Sequence, residues 1–191
     1  LFTKFPEINI KFLTNNSRSL YSSLKNNELD FVIGITPLSD TSLTVKPFYY
    51  EPILIVIPTK IQDKNSTEIE IKNIDSKNVL VPGKENEFRS TIDNILFSEN
   101  YNEQFKKNSL ETLVNLSISG NGITLIPYLN FLNLSDQHKD KVYKFKSPEP
   151  AREISVVYKS NNLKKHIVEE MFLLLKNSLK KIQSFSDVKI V

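Results

Sequence analysis

The pattern of apolar and polar positions predicts short strands and helices that alternate along the chain. Residues 8–12 alternate between apolar and polar side chains, as a half-buried strand does. Ser17 is placed to cap a helix that stops at Asn26. Residues 31–35 form a continuous apolar run, typical of a parallel strand covered on both faces. This opening segment therefore predicts a βαβ unit with a right-handed crossover.

The rest of the chain continues the same alternation. Predicted strands cover residues 52–57, 79–81, 123–126, 142–145 and 154–158, and helical faces cover residues 87–97, 110–116 and 163–182. Residues 59–77 are polar and predict a surface connection with a short irregular element. Ser109 is placed as an N-cap, and Gly120 stands where a left-handed C-terminal cap belongs. The pattern as a whole predicts α/β architecture.

Composition narrows the class of protein. A chain of 191 residues is long enough for one domain or two coupled lobes. Its apolar runs are too short to span a bilayer, and its first residues do not form a signal peptide. The absence of cysteine excludes disulfides, thiolate metal sites and thiol redox switching within these residues. We expect a cytoplasmic protein that does not bind membranes, and its net charge of +3 is ordinary surface charge.

Residues that could support catalysis do not form a recognisable signature. His138 and His166 lie in polar surroundings and are interpreted as surface histidines. Four glycines are too few and too scattered to form a phosphate-binding loop or a dinucleotide fingerprint. Glu28 and Asp30 flank a turn, where solvation is the ordinary state of carboxylates. We therefore expect a protein that is not an enzyme, with no catalytic residue, metal or cofactor.

Polar residues follow the predicted strands at the places where α/β sheets bind ligands. These places are residues 14–17, 35–36, 82–87 and 108–109. Two interpretations stay open on pattern alone. The serines cap helices and do nothing more, or the helix N-termini together bind a small molecule.

Four segments, in this order, resemble the effector domains of LysR-type bacterial transcription regulators. They are residues 5–8 with 24–33, residues 47–58, residues 109–113 and residues 120–127. The family carries a Phe-Pro strand, a Leu-Asp turn, a Glu-Pro stretch and a Ser-Leu-Glu-Thr-Leu block followed by Gly-x-Gly-Ile. Asn27 replaces the glycine of the turn, and asparagine also tolerates left-handed geometry.

Within this family the chain is most similar to the OxyR branch of peroxide sensors, through residues 146–154 and the 109–127 block. Glu87 stands where those sensors have their reactive cysteine. A carboxylate cannot form a sulfenate or a disulfide, so the resemblance does not extend to thiol-based sensing. Glu87 either stabilises a helix N-terminus or selects effectors by repelling anions in favour of cationic or hydroxyl-rich molecules.

The resemblance implies a periplasmic-binding-protein-like (type 2) α/β fold with two lobes and a cleft between them. Lobe I would comprise residues 1–51 and 158–191, and lobe II residues 52–157; the family's first strand and helix would precede residue 1. The effector-binding residues implied are Asn15, Ser17 and Thr36 from lobe I and Gly83, Asn86, Glu87 and Ser109 from lobe II.

The implied partners are a small-molecule effector, a second copy in a homodimer or tetramer, and DNA through an N-terminal winged helix-turn-helix outside this chain. Two other classes remain open. A solute-binding protein of a transport system shares the fold and would need a secretion signal or a lipid anchor. An enzyme on this fold would need ionisable side chains that converge in the cleft.

Overall fold

The computed structural model describes residues 6–36, 40–58, 68–98, 100–101, 109–179 and 187–191. The chain forms two compact units: unit 1 comprises Leu1–Tyr50 and Glu153–Ser184, and unit 2 comprises Glu51–Arg152 and Phe185–Val191. The lobe limits expected from the sequence lie after residues 51 and 157, whereas the chain changes from one compact unit to the other after residues 50 and 152. The division into lobes I and II stays a prediction.

The described elements alternate as the sequence predicts for an α/β protein. In chain order they are α1 (Ser17–Lys25), β1 (Val32–Thr36), β2 (Leu43–Val56), β3 (Glu68–Ile69), 3₁₀ turns at Ile71–Asn73 and Ser76–Asn78, α2 (Glu87–Leu96), α3 (Leu110–Ile118), β4 (Thr124–Pro127), α4 (Tyr128–Leu132), α5 (Asp136–Lys139), β5 (Val142–Phe145), β6 (Glu149–Lys159), α6 (Lys165–Leu179) and β7 (Val188–Ile190). Strands β2 and β6 each begin in one unit and end in the other.

Unit 1 is built on an antiparallel pair of strands. β1 pairs with β6 so that Val32 lies opposite Val157 and Thr36 lies opposite Glu153. Helix α1 packs on this pair through Leu24, which is fully buried beside Val32 and Val157. A second cluster, formed by Val156, Tyr158 and Val168, joins β6 to α6.

Two predictions for the opening segment were wrong. Residues 8–16 form no strand, and Phe12 is 82% exposed. Alternation shows which face of a strand would be buried, but a strand also needs a partner for its N–H and C=O groups. With no first strand there is no βαβ unit, and β1 pairs antiparallel, not parallel, with β6. The left-handed geometry allowed for Asn27 is confirmed by its φ of 61°.

Unit 2 surrounds the second half of β2. Ile53 lies opposite Pro127 of β4, and Ile55 lies opposite Tyr143 of β5, both in antiparallel pairs. β3 runs parallel to β5, and β7 runs parallel to the start of β6. Helix α2 covers this core with Phe88 and Ile92. Residues 52–57 form a continuous apolar run because they pack in the core of unit 2.

Two predicted helix ends in the later part of the chain are confirmed, and one predicted strand and one predicted helix start are corrected. Ser109 caps α3, and Gly120 follows that helix with φ 93°. Residues 79–81 are fully buried as predicted, but they form only a parallel bridge from Val79 to Ile123 and no strand. The last helix begins at Lys165, and Leu163 before it is 96% exposed. Residues 59–67 and Ile182 lie outside the described residues.

Within the described ranges, no helix combines the length and apolar character needed to cross a membrane.

Helix α2 ends on a residue that is poorly suited to its backbone geometry. Phe97 occupies the C-cap with φ 49° and ψ 40°, and 81% of it is exposed. A side chain other than glycine costs about 1–2 kcal/mol in this left-handed region, and asparagine tolerates it best. We expect Phe97→Asn to raise the free energy of unfolding by about 1 kcal/mol, measured by urea denaturation.

Phe12→Asn provides the matched control for this prediction. It removes an equally exposed phenylalanine from a position that is not in the left-handed region. An equal gain from both variants would show that removal of exposed apolar surface, and not relief of backbone strain, causes the effect.

Candidate functional site

In unit 1 the candidate residues Asn15 and Ser17 lie on either side of the cap of α1. The N-cap is Asn16, whose side chain accepts a hydrogen bond from the Ser19 amide, so the prediction that Ser17 caps this helix was wrong. Asparagine and serine are nearly equal as caps, and sequence alone does not separate neighbours of this kind. Ser17 is the first residue of α1, and the Asn15 side-chain oxygen accepts a hydrogen bond from the Asn16 amide at 2.9 Å.

The third candidate in unit 1, Thr36, belongs to a cluster of polar side chains on the β1–β6 pair. Thr36 is 3% exposed, and its hydroxyl donates to Glu153 Oε1 at 2.5 Å. Its oxygen also lies 2.7 Å from the hydroxyl of Ser155, which is fully buried. Thr36 faces Glu153 directly in the strand register, and side chains two residues apart share one face of a strand. The register therefore brings these three side chains together.

Tyr50 adds a phenol to this cluster. Its pKa is raised, first because the ring is partly removed from water, and then because the Glu153 carboxylate lies close and accepts a hydrogen bond from it. Tyr50 remains 42% exposed, whereas Thr36 is buried. Glu153 is thus contacted by hydroxyl groups from β1, β2 and β6.

In unit 2, Gly83, Asn86 and Glu87 lie together on the loop that leads into α2. Asn86 is the N-cap and accepts a hydrogen bond from the Phe88 amide at 3.0 Å, while its own amide donates to the Gly83 carbonyl at 2.9 Å. Glu87 is the first residue of the helix, where a carboxylate stabilises the positive end of the dipole. A β-carbon on Gly83 would lie 2.3 Å from the Glu85 carboxylate, which is the end of an exposed, flexible side chain that can rotate away.

The buried side chain of Arg89 links this loop to helix α2 through hydrogen bonds. The side chain is 4% exposed; its Nε donates to Asp93 at 2.9 Å, and its Nη1 donates to the carbonyl of Pro82 at 3.3 Å. The guanidinium also lies 4.8 Å from the centroid of the Tyr101 ring. Burial raises the pKa of Tyr101 to about 12. The sequence did not predict these buried contacts of Arg89.

Ser109, the last candidate, begins α3 as predicted. Its hydroxyl accepts a hydrogen bond from the Thr112 amide at 3.2 Å and lies 3.0 Å from the Thr112 hydroxyl. The capping interpretation of Ser109 is therefore confirmed. Its contact with an effector stays a prediction, as do the contacts of the other six candidates.

The sequence did not point to Glu51, the most deeply buried carboxylate among the described residues of unit 2. Glu51 is 1% exposed; it accepts hydrogen bonds from Arg152 Nε at 2.7 Å and from the Leu129 amide at the start of α4 at 3.1 Å. The Arg152 guanidinium also lies 5.5 Å from the centre of the Phe88 ring. Both residues lie within segments that resemble the LysR-type family. This resemblance was the one feature of the sequence that could have pointed to the pair.

A pocket of about 520 Å³ lies within unit 2 and contains none of the seven candidates. Five isoleucines form its apolar part, and polar side chains surround them. Of these, Glu70 pairs with Lys146 at 2.6 Å, and Asp75 accepts a hydrogen bond from the Lys77 amide. In the part of the chain that the structure describes, no group of three or more histidine, cysteine or acidic side chains could hold a metal ion.

Comparison with known proteins gives one family and a consistent set of relatives. The family model described as the LysR substrate binding domain matches residues 1–180. The hydrogen peroxide-inducible genes activator of Haemophilus influenzae is 23% identical over 93% of this chain and 60% of its own length. The HTH-type transcriptional regulator CzcR of Bacillus subtilis is 26% identical over 82% of this chain and 52% of its own length. The chain thus spans only about half to three fifths of these relatives.

Solved structures agree on the fold. A crystal structure of an OxyR mutant from Porphyromonas gingivalis matches all of this chain and 89% of its own, with a TM-score of 0.86 at 19% identity. The reduced form of OxyR matches 93% of this chain and 84% of its own, with a TM-score of 0.77 at 22% identity. The predicted α/β fold of the periplasmic-binding-protein type is confirmed by these likenesses. The chain belongs to the family of LysR substrate-binding domains.

Proposed function

We propose that this chain is the effector-binding part of a LysR-type transcription regulator. The observation that carries the proposal is the match of the LysR substrate-binding family to residues 1–180. The curated relatives are named as gene activators and transcription regulators, which favours regulation over solute transport. The effector would contact Asn15, Ser17, Thr36, Gly83, Asn86, Glu87 and Ser109.

The mechanism proposed is a shift between conformational states. A ligand that binds one arrangement of the protein more tightly than another stabilises that arrangement in proportion to its preference. A DNA-binding segment elsewhere in the longer protein would respond to this shift, and a homodimer in the cytoplasm would present two such segments to DNA. No catalytic step is part of this proposal.

Peroxide sensing through thiols does not transfer to this domain. These 191 residues contain no cysteine, and the resemblance to the OxyR branch implies that Glu87 stands at the position of the reactive residue. A carboxylate does not undergo the oxidation that produces a sulfenate. The effector would therefore act by reversible binding.

The test uses the full-length regulator encoded with this domain. A thermal-shift screen with small metabolites identifies binders, since a ligand present at a hundred times its dissociation constant adds roughly 2.7 kcal/mol of stability. Fluorescence anisotropy then measures DNA affinity with and without each binder. We expect at least one binder to change the DNA affinity. Ligands that stabilise the protein and leave its DNA affinity unchanged would contradict a regulatory role and favour the solute-binding alternative.

Glu87→Gln tests the contribution of this carboxylate to effector choice. The variant keeps the size of the side chain and removes its charge at the start of α2, which costs roughly 0.3–1 kcal/mol of stability. If Glu87 selects effectors, anionic metabolites that do not stabilise the wild type are expected to stabilise the variant in the same screen. An unchanged set of ligands would leave Glu87 with its helix-stabilising role alone.

A further inference from the structure

Glu153 is a partly buried carboxylate with no cationic partner among the described residues. Several other buried or partly buried carboxylates pair with a lysine or an arginine. Examples are Glu51 with Arg152 at 2.7 Å, Asp93 with Arg89 at 2.9 Å, Glu169 with Lys46 at 2.9 Å and Glu70 with Lys146 at 2.6 Å. Glu153 is contacted by the hydroxyls of Thr36, Ser155 and Tyr50, and no lysine or arginine of the described chain forms a salt bridge with it.

Hydroxyl donors leave the charge of this carboxylate uncompensated. A hydrogen bond from a neutral hydroxyl stabilises a carboxylate, but it does not neutralise it as an ammonium or guanidinium does. Partial burial makes such a charge more costly than it would be in water. The arginine next in sequence, Arg152, does not serve Glu153, because its Nε donates to Glu51 in unit 2. A cation supplied from outside would complete the cluster.

The same contacts determine which groups the cluster can offer a ligand. The one proton of Thr36 is directed at Glu153 Oε1, so this hydroxyl offers a ligand only an acceptor. The Tyr50 phenol also lies close to Glu153. Because the Thr36 proton is engaged, the buried side of this polar face offers acceptors, and an anion or a molecule with acceptors alone is disfavoured beside the Glu153 carboxylate.

We propose that Glu153 is a specificity-determining residue of the effector site and that it selects an effector carrying a positively charged nitrogen. The proposal rests on the proposed function, because it takes Thr36 to be an effector contact. It adds Glu153 and Tyr50 to that contact and names the chemical class of the ligand. The cationic group approaches from the exposed side of Tyr50 and Glu153, because Thr36 and Ser155 are buried.

The test uses three probes with the same four-carbon chain: butylammonium, butanol and butyrate. Amide chemical shifts of the ¹⁵N-labelled protein are followed at Thr36, Tyr50 and Ser155 during titration at constant ionic strength. We expect saturable changes at these amides with butylammonium, weaker binding of butanol and no binding of butyrate. Absence of saturable change with butylammonium, or tighter binding of butyrate, overturns the proposal.

Variants separate the charge of Glu153 from its structural role. Glu153→Gln keeps an acceptor for Thr36 and is expected to weaken butylammonium binding by about tenfold, a typical loss for a charge-assisted hydrogen bond. The matched control is Glu28→Gln, an exposed carboxylate of the same unit, which should change nothing. Equal loss in the Glu28 variant would reveal a general charge effect and reject the assignment.

Failure of this proposal and failure of the proposed function give different results. If butylammonium does not bind at the cluster but another metabolite changes the DNA affinity of the full-length regulator, only the role of Glu153 is rejected. If butylammonium binds as expected but no ligand changes the DNA affinity, the site stands and the regulatory function is rejected.

Discussion

Arg152→Met is expected to lower the free energy of unfolding of unit 2 by about 3–5 kcal/mol, the usual cost of breaking a buried ion pair from one side. The variant leaves the Glu51 carboxylate, whose side chain is 2% exposed, with only the Leu129 amide as a donor. It also removes the guanidinium that lies over the Phe88 ring. Urea denaturation followed by far-UV circular dichroism measures the change.

Two further variants show whether burial is the cause. Lys146→Met breaks the equally short pair with Glu70, in which the lysine side chain is 52% exposed, and should cost far less stability because water screens the pair and Lys72 still contacts Glu70. The double variant Glu51→Gln with Arg152→Met removes both charges and should recover much of the stability lost in the single variant. A loss of the same size in the Lys146 and Arg152 variants would contradict this explanation.

The features that sequence predicts well in this protein are those that depend on near neighbours. The cap at Ser109, the left-handed residues Asn27 and Gly120 and the limits of α2 each follow from a few adjacent residues, and the structure contains all of them. Such predictions fail where two adjacent residues have nearly the same propensity for one position. Asn16 and Ser17 are both good caps, and the helix uses the first of them.

Features that depend on distant partners were predicted wrongly or not at all. Residues 8–12 alternate correctly for a strand but form none, because alternation supplies no hydrogen-bonding partner. The apolar run that becomes β1 suggested a parallel strand, whereas its partner is the antiparallel β6, more than a hundred residues later in the chain. Sequence shows that such a run is buried, but it does not show which strand lies beside it.

The residues of the candidate site also divide into those whose role depends on near neighbours and those whose role depends on distant partners. Asn86 and Glu87 were predictable as helix-start residues because their role is local. Glu153 was not, because its neighbour Thr36 is 117 positions away and only the strand register brings the two together. The pair of Glu51 and Arg152 is likewise 101 positions apart. In this protein the chemistry of a carboxylate depends on whether such a distant partner is a cation or a hydroxyl.

Gly122→Ala is expected to destabilise unit 2 by about 3 kcal/mol or more, because both its backbone and its surroundings exclude a side chain. Gly122 has φ 144°, and a β-carbon there would lie 2.7 Å from the Asn78 carbonyl and 3.0 Å from Leu80 Cγ. The chain is held in place on this side, since the Ile123 amide donates to Asn78 at 2.9 Å and the Leu80 amide donates to Ile123 at 2.7 Å.

Gly120→Ala is the matched control, because it has the unusual backbone without the crowding. Gly120 has φ 93°, and no atom lies within 4 Å of the β-carbon that alanine would add. Its replacement should therefore cost only the conformational penalty of about 1–2 kcal/mol. The difference between the two alanine variants, measured by urea denaturation, isolates the cost of separating Gly122 from residues 78–80. Equal losses would mean that backbone geometry alone requires both glycines, and that residues 78–80 move away freely from an added methyl group.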